Sequence, residues 1–102
     1  MTRFRLGMAQ AVRDLLIRLP PSLKHKVKAA LHSLADNPYQ AKALKDDLVG
    51  LRSFRVARSR IILQVKASTV EIVAFGPRKD IYQRVATELR STLRPSRKKA
   101  DS

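Results

Sequence analysis

The stretch SFRVARSRIILQVKASTVEIVAFGPRKDIY, Ser53 followed by Phe54–Tyr82, decides the fold. Phe54 and Val56 share one face of a strand, and Ile61, Leu63 and Val65 share one face of the next. Alternation at period two marks a strand with one buried side. A turn at Ala57–Arg60 joins the two, and Ala57 to Ser59 is so tight that the strands must be antiparallel neighbours. Ala67-Ser68-Thr69 reads as a second turn, although it contains neither Gly nor Pro. Val70–Phe75 (VEIVAF) is apolar on both faces apart from Glu71, the pattern of a central strand covered on one side by helices. Gly76-Pro77 ends that strand, and a helix begins near Arg78. Asp80 complements its amino end, and Ile81, Val85, Leu89 and Leu93 form a drifting apolar stripe beside Tyr82 and Ala86.

Upstream of this block the period changes. Residues 3–7 alternate and predict a short edge strand. Met8, Ala11, Val12, Leu15, Leu16 and Leu19 then recur at helical spacing. Pro20-Pro21 stops that helix, because proline removes a donor and disfavours helix at the residue before it. A second helix places Leu23, Val27, Ala30, Leu31 and Leu34 on one face and Lys24, Lys26 and Lys28 outside. Asp36-Asn37-Pro38 closes it with turn chemistry. So short a linker predicts an antiparallel helical hairpin. Residues 39–52 read as a connector with a helical turn around Ala41–Leu48, and Gly50 supplies the turn into the first strand of the main sheet. Downstream, Pro95 ends the last helix. RPSRKKADS then reads as a basic, disordered tail, so residues 1–93 are expected to form one domain and 94–102 the tail.

Composition narrows the function. A chain of 102 residues forms a single domain with one modest core. Its 22 Lys+Arg against 8 Asp+Glu leave a net charge of +14, which favours a polyanionic partner: RNA, DNA or an acidic protein segment. No tryptophan and no long apolar run suggest a membrane. Lack of cysteine excludes a disulfide framework and a thiolate metal site. MTRFRLGM is too short and interrupted for a signal peptide, so the expected compartment is the cytoplasm. His25 and His32, seven residues apart on the second helix, do not have the spacing of a helical metal pair. Asp46-Asp47, an acidic pair on the connector, reads as caps or partners of nearby lysines. Neither pair is assigned chemistry, and no cofactor or metal is expected.

What remains is arginine. Arg55, Arg58, Arg60 and Arg78 lie in the deciding stretch with only Glu71 and Asp80 as nearby acids. The guanidinium fork matches phosphate oxygens, so a sheet carrying several and followed by Tyr82 is chemically suited to an RNA backbone. Solvated outer-face arginines are the plain alternative.

The order strand, helical hairpin ending in LADNP, FRV, turn, RIIL, then VEIVAFGPRKDIY resembles the RelE/ParE superfamily of bacterial type II toxins. The resemblance spans residues 3 to 93, and LADNP, FRVARSR and GPRKDIY carry it. It implies an α+β fold, a small twisted antiparallel sheet packed by the hairpin, with a helix at the C-terminal end. RelE-like members cut messenger RNA in the ribosomal A site, whereas ParE-like members poison DNA gyrase. On the RelE-like pattern Arg55, Arg60, Arg78 and Tyr82 match the catalytic positions. Arg55, Arg58, Arg60, Lys66, Arg78 and Lys79 are the implied RNA-binding surface. The implied activity is a metal-independent endoribonuclease acting on message at the ribosome, with ribosomal RNA contacts. The implied partner is an acidic antitoxin in a toxin–antitoxin hetero-oligomer. Two positions depart from the pattern: Ala57 stands where many relatives carry a basic residue, and Ser59 where an aromatic is common. A gyrase inhibitor, or a weakly active homologue that mainly binds its antitoxin, is the alternative.

Overall fold

The computed structural model describes residues 3–93, with the side chains of residues 78, 79 and 90–93 outside the description. The expected tail therefore lies outside the described residues, and the side chain of Leu93, placed on the last apolar stripe, outside the described side chains. Strand β1 (Arg5–Met8) is followed by helices α1 (Gln10–Ile17) and α2 (Pro21–Asp36), then by strands β2 (Lys42–Ala43), β3 (Arg52–Val56), β4 (Ser59–Lys66) and β5 (Thr69–Pro77) and helix α3 (Arg78–Leu93). They form one sheet in the order β1-β5-β4-β3-β2. The α+β class expected from sequence holds. The sheet is mixed rather than wholly antiparallel, because β1 pairs parallel to β5, with Arg5 opposite Thr69. The connector also holds a strand that periodicity does not reveal: β2 is two residues long and pairs with Arg52 and Ser53. Two short 3-10 turns, Pro38–Gln40 and Asp46–Leu48, replace the helical turn expected there.

Both hairpins turn in two residues, with Val56 opposite Ser59 and Lys66 opposite Thr69. Ala57 (φ 55) and Ala67 (φ 53) take positive φ at the first turn position, while the residues after them do not. That is the pattern of a type II′ turn, whose twist matches the strands but which normally recruits glycine there. Gly50 (φ 95) takes the conformation its position demands.

A β-bulge explains why VEIVAF reads as apolar throughout. Ile62 pairs with Ala74, yet Leu63 pairs with Ile72, leaving Val73 as the extra residue. The bulge switches parity along β5. Val70 and Ile72 face the same way as Phe75 beyond it, and Ala74 and Gly76 face the other way. The first face joins Val56, Ile61 and Leu63 to Val12, Val27, Ala30 and Leu34 of α1 and α2. The second carries a smaller cluster, Leu51, Ile62 and Ala74 against Ile81 and Val85 of α3. Helices thus cover both faces of the sheet, not one.

The hairpin differs in detail from its sequence reading. Met8 belongs to β1, and Ala11 and Leu15 are exposed, so the buried side of α1 is Val12 with Leu16 and Leu19. α2 starts on Pro21, whose missing donor costs nothing at a first helical position. It ends at LADNP, where Leu34, Ala35 and Pro38 are buried and the Asn37 side chain accepts from the Tyr39 amide at 3.1 Å. Gln40 Nε2 then donates to Ser33 and Asn37, fixing the reversal. α1 and α2 do not close on each other. An open groove of about 400 Å³ lies between them, floored by Met8, Leu16, Val27 and Leu31 and rimmed by Arg13, Lys24 and Lys28.

Candidate phosphate-binding face

Strand alternation sends Ser53 and Arg55 of β3, and Arg60, Ile62, Gln64 and Lys66 of β4, to the face that α3 packs on. Arg55 and Arg60 are direct cross-strand partners. They form the second pair from a two-residue turn, a pair without ladder hydrogen bonds, whose Cα atoms lie only about 4.5 Å apart. Like charges opposed so closely destabilise a sheet by themselves. Two adjacent planar forks are, however, suited to the oxygens of one phosphate. Arg55 Nε donates to the Ala57 carbonyl at 3.2 Å, which steadies its side chain along the turn. Arg60 makes no hydrogen bond or ion pair among the described residues, and both it and Arg55 reach solvent.

The row continues across β5. Gly76 pairs with Arg60 and presents no side chain to this face. Its place is taken from above by Arg84 of α3, whose Nη2 lies 3.0 Å from where a Gly76 Cβ would stand. Arg84 Nη2 donates to the Phe75 carbonyl at 3.3 Å. Sequence reasoning missed Arg84 because on a helical pattern it reads only as an exposed position between Tyr82 and Val85.

Tyr82 lies on the same face, one row further in. Its hydroxyl and Ser53 Oγ are 2.9 Å apart, and Ser53 is buried. Ser53 is two residues from Arg55 along β3, roughly 7 Å. The tyrosine is thus both packed against the Ile62 cluster and placed beside the arginines. Arg58 occupies the exposed tip of the turn. Arg78 and Lys79 open α3 directly after Gly76-Pro77; their side chains lie outside the described ones. Lys66 is not brought to the site: it shares the face but is six residues along β4 from Arg60, about 20 Å away. Ala57 holds the positive-φ turn position and Ser59 pairs with Val56, so neither departure from the family pattern removes a side chain from the arginine row.

Some charged groups lie away from this face. Arg52 points to the opposite face, where it donates to the Ala41 carbonyl at 2.8 Å and lies 4.9 Å from the Tyr39 ring centroid. His25 and His32 are exposed on α2, on the other side of the sheet. Asp46 and Asp47 lie in the first turn of the short Asp46–Leu48 segment. Among the described residues no three His, Asp or Glu side chains gather as metal ligands, and no helix is long and apolar enough to cross a membrane.

A mixed sheet between a splayed hairpin and a C-terminal helix, with an arginine row at one end, defines a small basic α+β domain. Residues 9–82 match the family described as the ParE toxin of the type II toxin–antitoxin system parDE, so the chain belongs to that family, within the RelE/ParE superfamily. Solved structures agree. The RelBE2 toxin–antitoxin complex from Mycobacterium tuberculosis is 26% identical, with a TM-score of 0.67 over 76% of this chain and 94% of that one. A YoeB/ParE toxin from Agrobacterium tumefaciens (19% identity, TM-score 0.63, 72% and 96% covered) shares the fold. So does the archaeal RelE–RelB complex from Pyrococcus horikoshii (20% identity, TM-score 0.63, 76% and 97% covered). No curated protein sequence matches at a significant level.

Proposed function

We propose that this toxin is a ribosome-dependent endoribonuclease that cuts messenger RNA in the A site and so stops translation. The observation that carries the reading is the Arg55–Arg60 pair, two guanidinium groups opposed on one sheet face with Tyr82 a row away. In the reaction the 2′-oxygen attacks the adjacent phosphorus and the bond to the 5′-oxygen breaks. The 2′-hydroxyl proton leaves and the 5′-oxygen gains one, giving a 2′,3′-cyclic phosphate and a free 5′-hydroxyl. Arginine does not lose its proton, so Arg55, Arg60 and Arg78 act as an electrostatic clamp on the charged phosphorane. Tyr82 stacks on a base or relays a proton. Among the described residues no histidine lies on this side of the sheet, and its carboxylates, Glu71, Asp80 and Glu88, make no ion pair with the arginines. Such a site depends on the ribosome to orient its substrate and is weak on free RNA. That target sets the compartment as the cytoplasm.

The partner in this reading is an acidic antitoxin. The groove between α1 and α2, apolar at its floor and cationic at its rim, fits an amphipathic acidic helix that orders on binding. The second reading is inhibition of DNA gyrase, favoured by the ParE name of the matching family.

Growth arrest scored beside transcript mapping separates the two. The parent should give cuts in frame with codons. Arg55→Ala and Arg60→Ala should each lower cleavage by roughly 10²–10³-fold while melting no lower than the parent. Arrest by the parent with intact transcripts would sink the nuclease reading, and DNA breaks in those cells would establish the gyrase one.

A further inference from the structure

We propose that Arg84 is the third member of the phosphate-gripping row with Arg55 and Arg60, its guanidinium seated in the space that Gly76 leaves open. The inference rests on the reading of this face as an RNA-phosphate surface and names a residue and a device within it. Three observations carry it. Arg60 and Gly76 are register partners, so a group over Gly76 is next in line after Arg55 and Arg60. The Arg84 head is over Gly76, 3.0 Å at Nη2 and 3.7 Å at Cζ from a Cβ built there. Finally, Arg84 declines its nearest acids. Asp80 and Glu88 stand one turn before and after it on α3, the spacing at which helical ion pairs form, yet neither is within ion-pair distance. It bonds instead to the Phe75 carbonyl through Nη2. That single bond holds the fork in place and leaves its remaining donors for an anion. Gly76 is not there for backbone freedom, because its φ is not positive. Its bare face is what admits the guanidinium. An alanine would press on the Arg84 tip at 3.0 Å and on Ile81 Cδ1 at 3.3 Å.

The test uses a single-stranded 2′-O-methyl oligoribonucleotide, which lacks the attacking hydroxyl and so reports binding without cleavage. Affinity is measured by fluorescence anisotropy across a salt series, beside thermal melts. Arg84→Ala should bind about tenfold more weakly at low salt, with a salt dependence shallower by about 0.7 in log–log slope, one phosphate contact on a single strand. Arg84→Lys should regain the slope but only part of the affinity, since an ammonium lacks the planar fork. Gly76→Ala should weaken binding in the same direction, and adding it to Arg84→Ala should cost no more than Arg84→Ala alone. An Arg84→Ala protein that melts lower but binds with unchanged affinity and slope would reduce Arg84 to a tie between α3 and β5 and overturn the proposal. Additive losses in the double variant would overturn the role of Gly76. If the parent leaves transcripts intact yet Arg84→Ala still lowers affinity and slope, the nuclease reading falls and this assignment stands; the converse pair of results does the reverse.

Discussion

The two faces of the sheet are built from the same three strands and do opposite work. Toward α1 and α2, Phe54 and Val56 of β3 and Ile61, Leu63 and Val65 of β4 are apolar, and the β5 bulge keeps Val70, Ile72 and Phe75 on that side. Toward α3 the apolar cluster is small, and it gives way at the hairpin end to Arg55, Arg60, Gly76 and Arg84. One face has the burial to hold the domain together. The other keeps just enough of it, Ile62 and Ala74 under Ile81 and Val85, to fix α3 while leaving the row of cations unburied. The contrast teaches how so small a domain affords a site: stability is concentrated on one side so that like charges can be tolerated on the other.

Substitutions on each side should therefore have separable effects. The largest is expected on the hairpin face. Leu34 is fully buried, so Leu34→Ala should cost about 2–5 kcal/mol by chemical denaturation, while the folded fraction retains its RNA affinity. Leu16 and Leu31, for which the helical stripe predicts the same cost, line the open groove half-exposed and should cost less. Lost affinity in folded Leu34→Ala protein would mean the faces are coupled.

A smaller effect is expected where the faces' roles overlap, at Tyr82. Tyr82→Phe strands the buried Ser53 hydroxyl and should destabilise by about 1–3 kcal/mol; adding Ser53→Ala should recover most of that, because removing both partners is nearly neutral. Cleavage measured on the recovered pair then isolates chemistry from packing. Activity that returns with stability would assign the hydroxyl to structure, and activity that stays low would assign it to proton transfer.

The smallest concerns the turn that sets the Arg55–Arg60 register. An L-residue in the left-handed region costs roughly 1–2 kcal/mol, offset in part by the extra unfolded-state freedom of glycine. Ala57→Gly should therefore raise stability by about 0.5–1 kcal/mol, with RNA affinity unchanged. A melt that falls instead would show that the turn does not hold the positive φ in solution.

Much of this molecule is legible in its sequence because the signals are local. Period-two alternation in Phe54–Val65, the stripe of the second helix, the Pro20-Pro21 break and the LADNP reversal depend on residues a few positions apart and fall where expected, whereas Met8, Ala11 and Leu15 leave the first stripe. The Arg55–Arg60 pair was also within reach, since a two-residue turn dictates which residues face each other. What tertiary structure decided is non-local. β1 joins β5 in parallel across more than sixty residues, and nothing in Arg5–Met8 names its partner. β2 is too short to have a period, and the bulge at Val73 makes a switch of face look like an unbroken apolar run. Whether α3 lies over the arginine face, bringing Arg84 onto Gly76 and Tyr82 onto Ser53, depends on how Ile81 and Val85 pack on Ile62 and Ala74. Local periodicity fixes which side of an element is apolar; only packing between elements fixes which polar groups meet.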